Sequence, residues 1–141
     1  MLFLPTATIP FLHIVHFLVI ACVFVGCGAG ALLEGTQWYE EYTNDGVTYR
    51  EDWSFEKDNV LKFSKTVVGG GDVNDPAIGV WQVNDSNNLE ITAEENVTKI
   101  LGIVDTWHID MGTKDLLTLT RVVPNPTKNN EITLKRVKDA E

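Results

Sequence analysis

From Gly35 onward, apolar and polar residues alternate at a period of two, and turn-forming residues interrupt this alternation at short intervals. Residues 47–55 are the clearest case, because Trp53 and Phe55 fall on one face while charged and small polar residues fall on the other. A half-buried antiparallel strand requires this pattern. Asn44-Asp45-Gly46, just before it, can supply the backbone conformations of a tight hairpin.

The alternation predicts eight short strands that follow one another in sequence. They span residues 36–43, 47–55, 60–68, 78–84, 89–93, about 97–111, 116–123 and 131–137. No segment of the domain shows a sustained 3.6-residue repeat, so little helix is expected. Eight sequential antiparallel strands favour an all-β, up-and-down barrel, which leaves no open edge. A two-layer sandwich is the alternative, because alternation alone does not distinguish closure from stacking.

The N-terminal part of the chain has a different character, since no charged side chain precedes Glu34. Residues 11–33 form an apolar run typical of a membrane span or an export signal. Pro5 and Pro10 break the run early and small residues end it, which favours the signal. Val23-Phe24-Val25-Gly26-Cys27 resembles the lipobox of bacterial lipoproteins, in which the cysteine thiol accepts a diacylglyceryl group.

This interpretation makes residues 1–26 a lipoprotein signal peptide and Cys27 the lipidated N-terminus. Residues 27–34 are then a short tether, and residues 35–138 are the barrel domain. Cleavage at Ala29-Gly30-Ala31 would instead release a secreted domain, and an uncleaved run would be a membrane anchor. All three alternatives export the domain. The absence of an acidic residue directly after Cys27 favours the outer membrane in a host with two membranes.

Composition excludes several classes of function. The 141 residues contain 20 acidic and 11 basic side chains, a net charge of −9, which argues against a nucleic-acid surface. The two cysteines, Cys22 and Cys27, lie in the leader, so the exported domain has no disulfide and depends on its apolar core. No metal site or cofactor is expected, because a zinc site needs three or four ligands, usually His or Cys.

Catalysis is not expected either. His108 is the only histidine after the leader, and it falls on the strand face opposite Trp107, which indicates a solvent-facing side chain. The adjacent acids Glu40-Glu41, Glu51-Asp52 and Glu94-Glu95 are interpreted as solvated surface charge. Glu51 is the exception, since it is in phase with Trp53. It is either a strand-end group open to water or a polar anchor inside a cup, paired with Lys65, Arg121 or Arg136.

Four motifs resemble bacterial lipocalin-like domains of the kind found behind a lipoprotein signal, over residues 32–137. They are Leu33-Glu34-Gly35-Thr36-Gln37-Trp38, Gly79-Val80-Trp81-Gln82-Val83, Trp107-His108-Ile109-Asp110 and Leu116-Leu117-Thr118-Leu119-Thr120-Arg121. The resemblance implies a barrel closed at the bottom by Trp38, with Arg121 or Arg136 packed over its ring. It also implies a cup that often holds an apolar molecule.

Two functions are expected from this pattern. The first is binding of a small apolar or amphipathic molecule by an envelope lipoprotein, and the second is a non-catalytic protein-interaction module, such as an inhibitor or assembly factor, with a filled barrel. The bulky inward residues serve either as core packing or as cavity walls. The candidate ligand contacts are Tyr49, Glu51, Trp53, Phe63, Trp81, Trp107 and Leu119.

Overall fold

The computed structural model of the protein describes residues 28–70, 75–94 and 97–138. A short helix, α1, precedes eight strands that form one closed antiparallel barrel in sequence order. The helix is α1 (Ala29–Leu33), and the strands are β1 (Thr36–Asn44), β2 (Val47–Phe55), β3 (Val60–Val67), β4 (Ala77–Val83), β5 (Asn88–Thr92), β6 (Asp105–Thr113), β7 (Leu116–Arg121) and β8 (Glu131–Arg136). The predicted all-β barrel is therefore confirmed.

Pairing of the first and last strands closes the sheet and excludes the two-layer sandwich. Trp38 on β1 faces Arg136 on β8, and Tyr39 faces Lys135. The Val137 backbone N–H donates to the Gln37 carbonyl at 2.9 Å, which extends this seam. Every strand consequently has two neighbours, and no row of backbone N–H and C=O groups is left as an open edge.

The hairpin between β1 and β2 has the geometry that its sequence predicts. Asp45 and Gly46 adopt φ of 50° and 79°, the left-handed region that a two-residue hairpin loop requires. Glycine tolerates this conformation and aspartate tolerates it better than most residues, which fixes the register of the hairpin. Pairs run without interruption from Asn44 opposite Val47 to Thr36 opposite Phe55.

The inward faces of the strands fill the lower half of the barrel with large apolar side chains. Trp38, Trp53 and Phe63 lie opposite one another across β1, β2 and β3, and all three are buried. The edge of Phe63 meets the ring of Trp53 at a centroid distance of 5.6 Å, and Phe55 meets Trp81 in the same way at 5.3 Å. Such edge-to-face pairs add to the free energy of burial.

Helix α1 covers the lower end of this core. Its residues Ala29 and Leu33 are buried, and the Ala29 backbone N–H donates to Oδ1 of Asn87 at 3.3 Å. Part of the predicted short tether, residues 27–34, is therefore a helix that packs on the barrel. Leu33 precedes β1, so its apolar side chain can be buried only if this part of the chain folds back against the end of the barrel. Within the described ranges, no helix is long and apolar enough to cross a membrane.

The sixth predicted strand begins later than its sequence pattern indicates. Residues Thr98–Ile100 form a single 3₁₀ turn, and β6 starts only at Asp105. Ile100 and Ile103 are the buried residues of this segment, and their spacing of three fits a turn of helix. A strand over residues 97–111 would place Leu101 on the same face as Ile103, but Leu101 is 39% exposed. The segment folds over the barrel end instead of joining the sheet.

Candidate functional site

The upper end of the barrel is the one that the N-terminal helix does not cover. Because successive antiparallel strands reverse direction, the connections β1–β2, β3–β4, β5–β6 and β7–β8 all meet at this end. Helix α1 and the 3₁₀ turn Lys57–Asn59 lie at the opposite end. The two ends therefore differ, because α1 packs on one, whereas at the other the described part of the β5–β6 connection contributes the buried Ile100 and Ile103.

A cavity of about 610 Å³ occupies the upper half of the barrel. This volume is within the range of roughly 300–1,000 Å³ that small-molecule sites usually show. Its lining combines apolar side chains with a polar wall and a polar rim. The lining residues are Glu40, Tyr42, Asn44, Glu51, Phe63, Lys65, Lys99, Gly102, Ile103, Thr127, Lys128, Asn129 and Ile132.

The polar wall is a row of side chains directly above the aromatic core. Glu40 on β1 pairs with Glu51 on β2, and Glu51 pairs with Lys65 on β3. The Tyr42 hydroxyl donates to Oε1 of Glu51 at 2.9 Å and accepts a hydrogen bond from Nζ of Lys65. Nζ of Lys65 also lies 3.3 Å from the Glu51 carboxylate. We call these four residues, Glu40, Tyr42, Glu51 and Lys65, the polar row.

Aromatic rings extend this row toward the rim. Tyr42 and Tyr49 stack at a centroid distance of 5.6 Å. The ammonium of Lys65 lies 5.1 Å from the centroid of Tyr42 and 4.9 Å from that of Tyr49. Hydrogen bonding to Tyr42 is the main reason that the pKa of Lys65 is raised. Lys65 is thus held as a cation by two rings, a hydroxyl and a carboxylate.

The Glu40 carboxyl has the most unusual electrostatic environment of the cavity wall. Burial, followed by the negative charge of Glu51 and a hydrogen bond with it, raises the pKa of Glu40 from 4.5 to about 7. The positive charge of Lys65 acts in the opposite direction, with a smaller effect. Two facing carboxyl groups that share one ammonium retain a proton near neutral pH, since both cannot ionise without repulsion.

Glu40→Gln is expected to stabilise the protein in alkaline but not in acidic solution. The folded state keeps a proton on Glu40 that the unfolded state releases above pH 4.5, so this stabilising contribution is lost as pH rises toward 7. Glutamine has no such loss. We expect a gain of about 1–2 kcal/mol in the free energy of unfolding at pH 8, allowing for solvent screening, and almost none at pH 4.5.

Denaturant titrations at the two pH values measure this difference. Glu41→Gln is the matched control, because Glu41 is the next residue along β1, is exposed and lies 3.5 Å from the Arg50 guanidinium. It should show no gain at pH 8. An equal effect of Glu40→Gln at both pH values would mean that the proton on Glu40 does not contribute to stability.

Arg121 binds two of the loops that border the cavity. Its side chain is fully buried and forms an ion pair with Asp105, while its Nη2 and Nε donate to the carbonyls of Gly102 and Asn129 at 2.6 and 2.7 Å. The guanidinium also lies 4.3 Å from the ring centroid of Trp107. Because Gly102 and Asn129 belong to different loops of the rim, one side chain sets the position of both.

Most of the predicted ligand contacts do not line the cavity. Trp53, Trp81, Trp107 and Leu119 are buried in the core, and Trp107 lies near the rim under Arg121. Nε1 of Trp81 donates to the Glu56 carbonyl at 3.2 Å, toward the closed end. Tyr49 contacts Lys65 but is not a lining residue. Of the seven predicted contacts, Glu51 and Phe63 line the cavity.

The structure places Glu40 and Glu41, and likewise Glu51 and Asp52, on opposite faces of their strands, whereas Glu95 of the third pair lies outside the described residues. Glu51 is inside the barrel, and its cationic partner is Lys65, one of the three that its position suggested. The interpretation of Glu40 as solvated surface charge is wrong, because Glu40 is half-buried and faces Glu51. Its phase with Trp38 and Tyr42 along β1 could have identified it. His108 is exposed, as its phase opposite Trp107 predicts.

The two arginines that could cover Trp38 have separate positions. Trp38 is fully buried near the closed end, and the guanidinium of Arg136 lies 5.9 Å from its ring centroid. Arg121 lies over Trp107 instead, near the rim. Register decides this, since Arg136 faces Trp38 across β8 and β1, whereas Arg121 faces Trp107 across β7 and β6.

Comparisons with protein-family models, curated proteins and solved structures find no match to this chain. The predicted signal peptide and the lipidation site at Cys27 lie outside the described residues. Among the residues that the structure does describe, no three His, Cys, Asp or Glu side chains converge as metal ligands would.

Proposed function

We propose that the protein is an envelope lipoprotein with a lipocalin-like barrel that binds a small amphipathic molecule without chemical conversion. The observation that carries this proposal is the change of side chains along β1, β2 and β3, where the aromatic core ends at Trp38, Trp53 and Phe63 and a cavity of about 610 Å³ lies above it. A barrel that served only as a scaffold could continue its core to the rim. The polar row instead replaces apolar side chains halfway up the barrel.

The chemistry of the lining supports an amphipathic ligand. Phe63, Ile103 and Ile132 form an apolar surface that takes the hydrophobic part of the molecule, and Glu40 and Glu51 can orient its polar group. The polar groups of the row are already bound to one another through Tyr42 and Lys65. This arrangement favours recognition over catalysis, because the carboxylate of Glu51, the hydroxyl of Tyr42 and the ammonium of Lys65 are engaged with one another.

An interaction module with a filled barrel is the less favoured function. It would place its contacts on the loops and would have no need for an internal cavity. Arg121 holds the loops at Gly102 and Asn129 close to the rim, so they frame the cavity. Both features support small-molecule binding.

Lipidation of Cys27 would set the orientation of the barrel. Because α1 begins at Ala29 and packs at the closed end, a lipid on Cys27 would anchor that end and direct the cavity away from the membrane. Cys27→Ser tests the anchor. We expect mass spectrometry to find a diacylglyceryl group on Cys27 of the wild type, and to find the Cys27→Ser variant without lipid and with residues 1–26 retained. A wild-type protein without lipid on Cys27 would refute the lipoprotein assignment.

Binding is tested with N-phenyl-1-naphthylamine, a neutral amphipathic fluorophore whose emission rises in apolar surroundings. Titration of the exported protein should give saturable enhancement. Ile132→Trp, which adds bulk inside the cavity, should weaken binding at least about tenfold, corresponding to about 1.4 kcal/mol. Val80→Trp is the control, since Val80 is 52% exposed on the outer face and the change should leave binding intact.

Circular dichroism and denaturant titration verify that both variants fold. Absence of saturable binding to the folded wild-type protein would refute a binding cavity for molecules of this class. Equal binding by Ile132→Trp and the wild type would place the fluorophore elsewhere on the protein.

A further inference from the structure

The cavity wall contains more acid than base at the level of the polar row. Glu40 and Glu51 face each other across β1 and β2. Lys65, which pairs with Glu51 on β3, is the cation of the polar row. The side chain of Glu51 is 12% exposed and that of Lys65 is 46% exposed, so the carboxylate lies deeper than its partner. When both carboxyls are ionised, the row lacks one positive charge.

The protonation of Glu40 agrees with the shortage of one positive charge in the polar row. Its pKa of about 7 means that a proton supplies the missing charge in much of the empty protein at neutral pH. Glu51 and Lys65 are the charged groups that shift this pKa, in opposite directions. The rim lysines Lys99 and Lys128 are exposed, and Nζ of Lys128 donates to the Leu101 carbonyl at 3.1 Å. They do not replace the missing cation.

We propose that the cavity selects amphipathic ammonium compounds, with the ligand's ammonium bound between Glu40 and Glu51 and its apolar part against Phe63, Ile103 and Ile132. This inference rests on the proposed function, because it names the ligand class of the same cavity. A primary ammonium has three N–H donors and can bond to both carboxylates at once. Tyr42 and Lys65 then keep their existing contacts with Glu51.

Binding of the ammonium balances the charge of the polar row. The ligand's ammonium brings one positive charge, and Glu40 releases its proton to the solvent, which leaves two carboxylates facing two ammonium groups. No covalent bond forms. A neutral ligand of the same shape leaves the proton on Glu40 and does not form the attraction between an ammonium and two carboxylates. An anionic ligand is repelled by the negative charge of Glu51. This repulsion is strong because solvent and salt screen charges less inside the cavity than on the surface.

The test uses three ligands with the same eight-carbon chain, which are octylamine, 1-octanol and octanoate. Each competes with N-phenyl-1-naphthylamine for the exported protein at pH 7. Octylamine should displace the fluorophore at about tenfold lower concentration than 1-octanol, and octanoate should be the weakest. Calorimetry in two buffers of different ionisation enthalpy should show net proton release on octylamine binding, since the raised pKa of Glu40 keeps a proton on it near neutral pH.

Two variants separate this site from general attraction to an acidic protein. Glu40→Gln should reduce the advantage of octylamine over 1-octanol to less than about threefold and abolish proton release. Glu41→Gln removes a carboxylate one residue away, on the outer face. This variant should retain the advantage of octylamine over 1-octanol and the proton release. Proton release in the wild type is measured without any substitution, so the test does not depend on how Glu40→Gln folds.

The outcomes distinguish the two proposals. If 1-octanol displaces the fluorophore and octylamine is no better, the cavity binds ligands but the preference for ammonium is refuted. If octylamine is preferred without proton release, or equally preferred by Glu40→Gln, its ammonium does not bind between Glu40 and Glu51. If the fluorophore does not bind in the first place, the proposed function itself fails.

Discussion

Arg121→Ala should lower the free energy of unfolding by about 3–5 kcal/mol, because it removes a buried cation and leaves the groups that it binds without their partner. Asp105 loses its ion pair, and the carbonyls of Gly102 and Asn129 lose their donors. The methylenes and guanidinium that cover Trp107 are lost as well. Since these partners lie on β6 and on two loops of the rim, the damage should extend beyond one contact.

Arg136→Ala is the control for this prediction. Arg136 also lies over a tryptophan, at 5.9 Å from the Trp38 centroid, but it is exposed. An exposed cation over a ring contributes about 0.5–1 kcal/mol. Denaturant titrations of both variants give the comparison. Similar losses for the two arginines would contradict the view that burial and the three hydrogen-bonded partners make Arg121 important.

Trp38→Ala should cost about 3–5 kcal/mol, the usual range for deleting a buried aromatic side chain. Trp38 is fully buried, and its Nε1 donates to Oγ1 of Thr36 at 2.8 Å. The Thr36 hydroxyl donates in turn to the Leu33 carbonyl, so this chain of bonds ties α1 to the barrel. The substitution opens a void at the closed end and loosens the helix that covers it.

Tyr39→Ala provides the comparison on the other face of β1. Tyr39 is half-buried, and the guanidinium of Arg50 lies 4.1 Å from its ring centroid. We expect a loss of about 1 kcal/mol, because the ring is largely on the outer surface. Thermal and denaturant unfolding measure both variants. A larger loss for Tyr39→Ala would contradict the inward packing of Trp38.

The sequence predicts the barrel well because alternation depends only on local spacing. Trp53 and Phe55 share a face in any strand that covers them, and Asp45-Gly46 specifies a tight hairpin whatever surrounds it. The alternation over residues 97–104 is misleading, since Ile100 and Ile103 also satisfy a helical spacing. Their burial against the barrel end depends on the loops that meet there, which local spacing does not contain.

The cavity is harder to predict because alternation gives the face of a residue but not its height in the barrel. Glu51 and Trp53 are two residues apart on the same face, yet Glu51 lines the cavity and Trp53 lies in the core. The stagger of eight strands sets this height. Glu40 shows a second limit, because adjacent acids suggest surface charge until their register across the hairpin places Glu40 opposite Glu51.

The central claim is that the upper half of the barrel is a binding cavity above a solid core. Isoleucine methyl NMR of the exported protein, titrated with N-phenyl-1-naphthylamine, tests it most directly. Ile103 and Ile132 line the cavity, whereas Ile78 is 49% exposed on the outer face. Saturable shifts are expected at Ile103 and Ile132, with Ile78 unchanged. Shifts at Ile78 alone, or no saturable shift at Ile103 and Ile132, would contradict it.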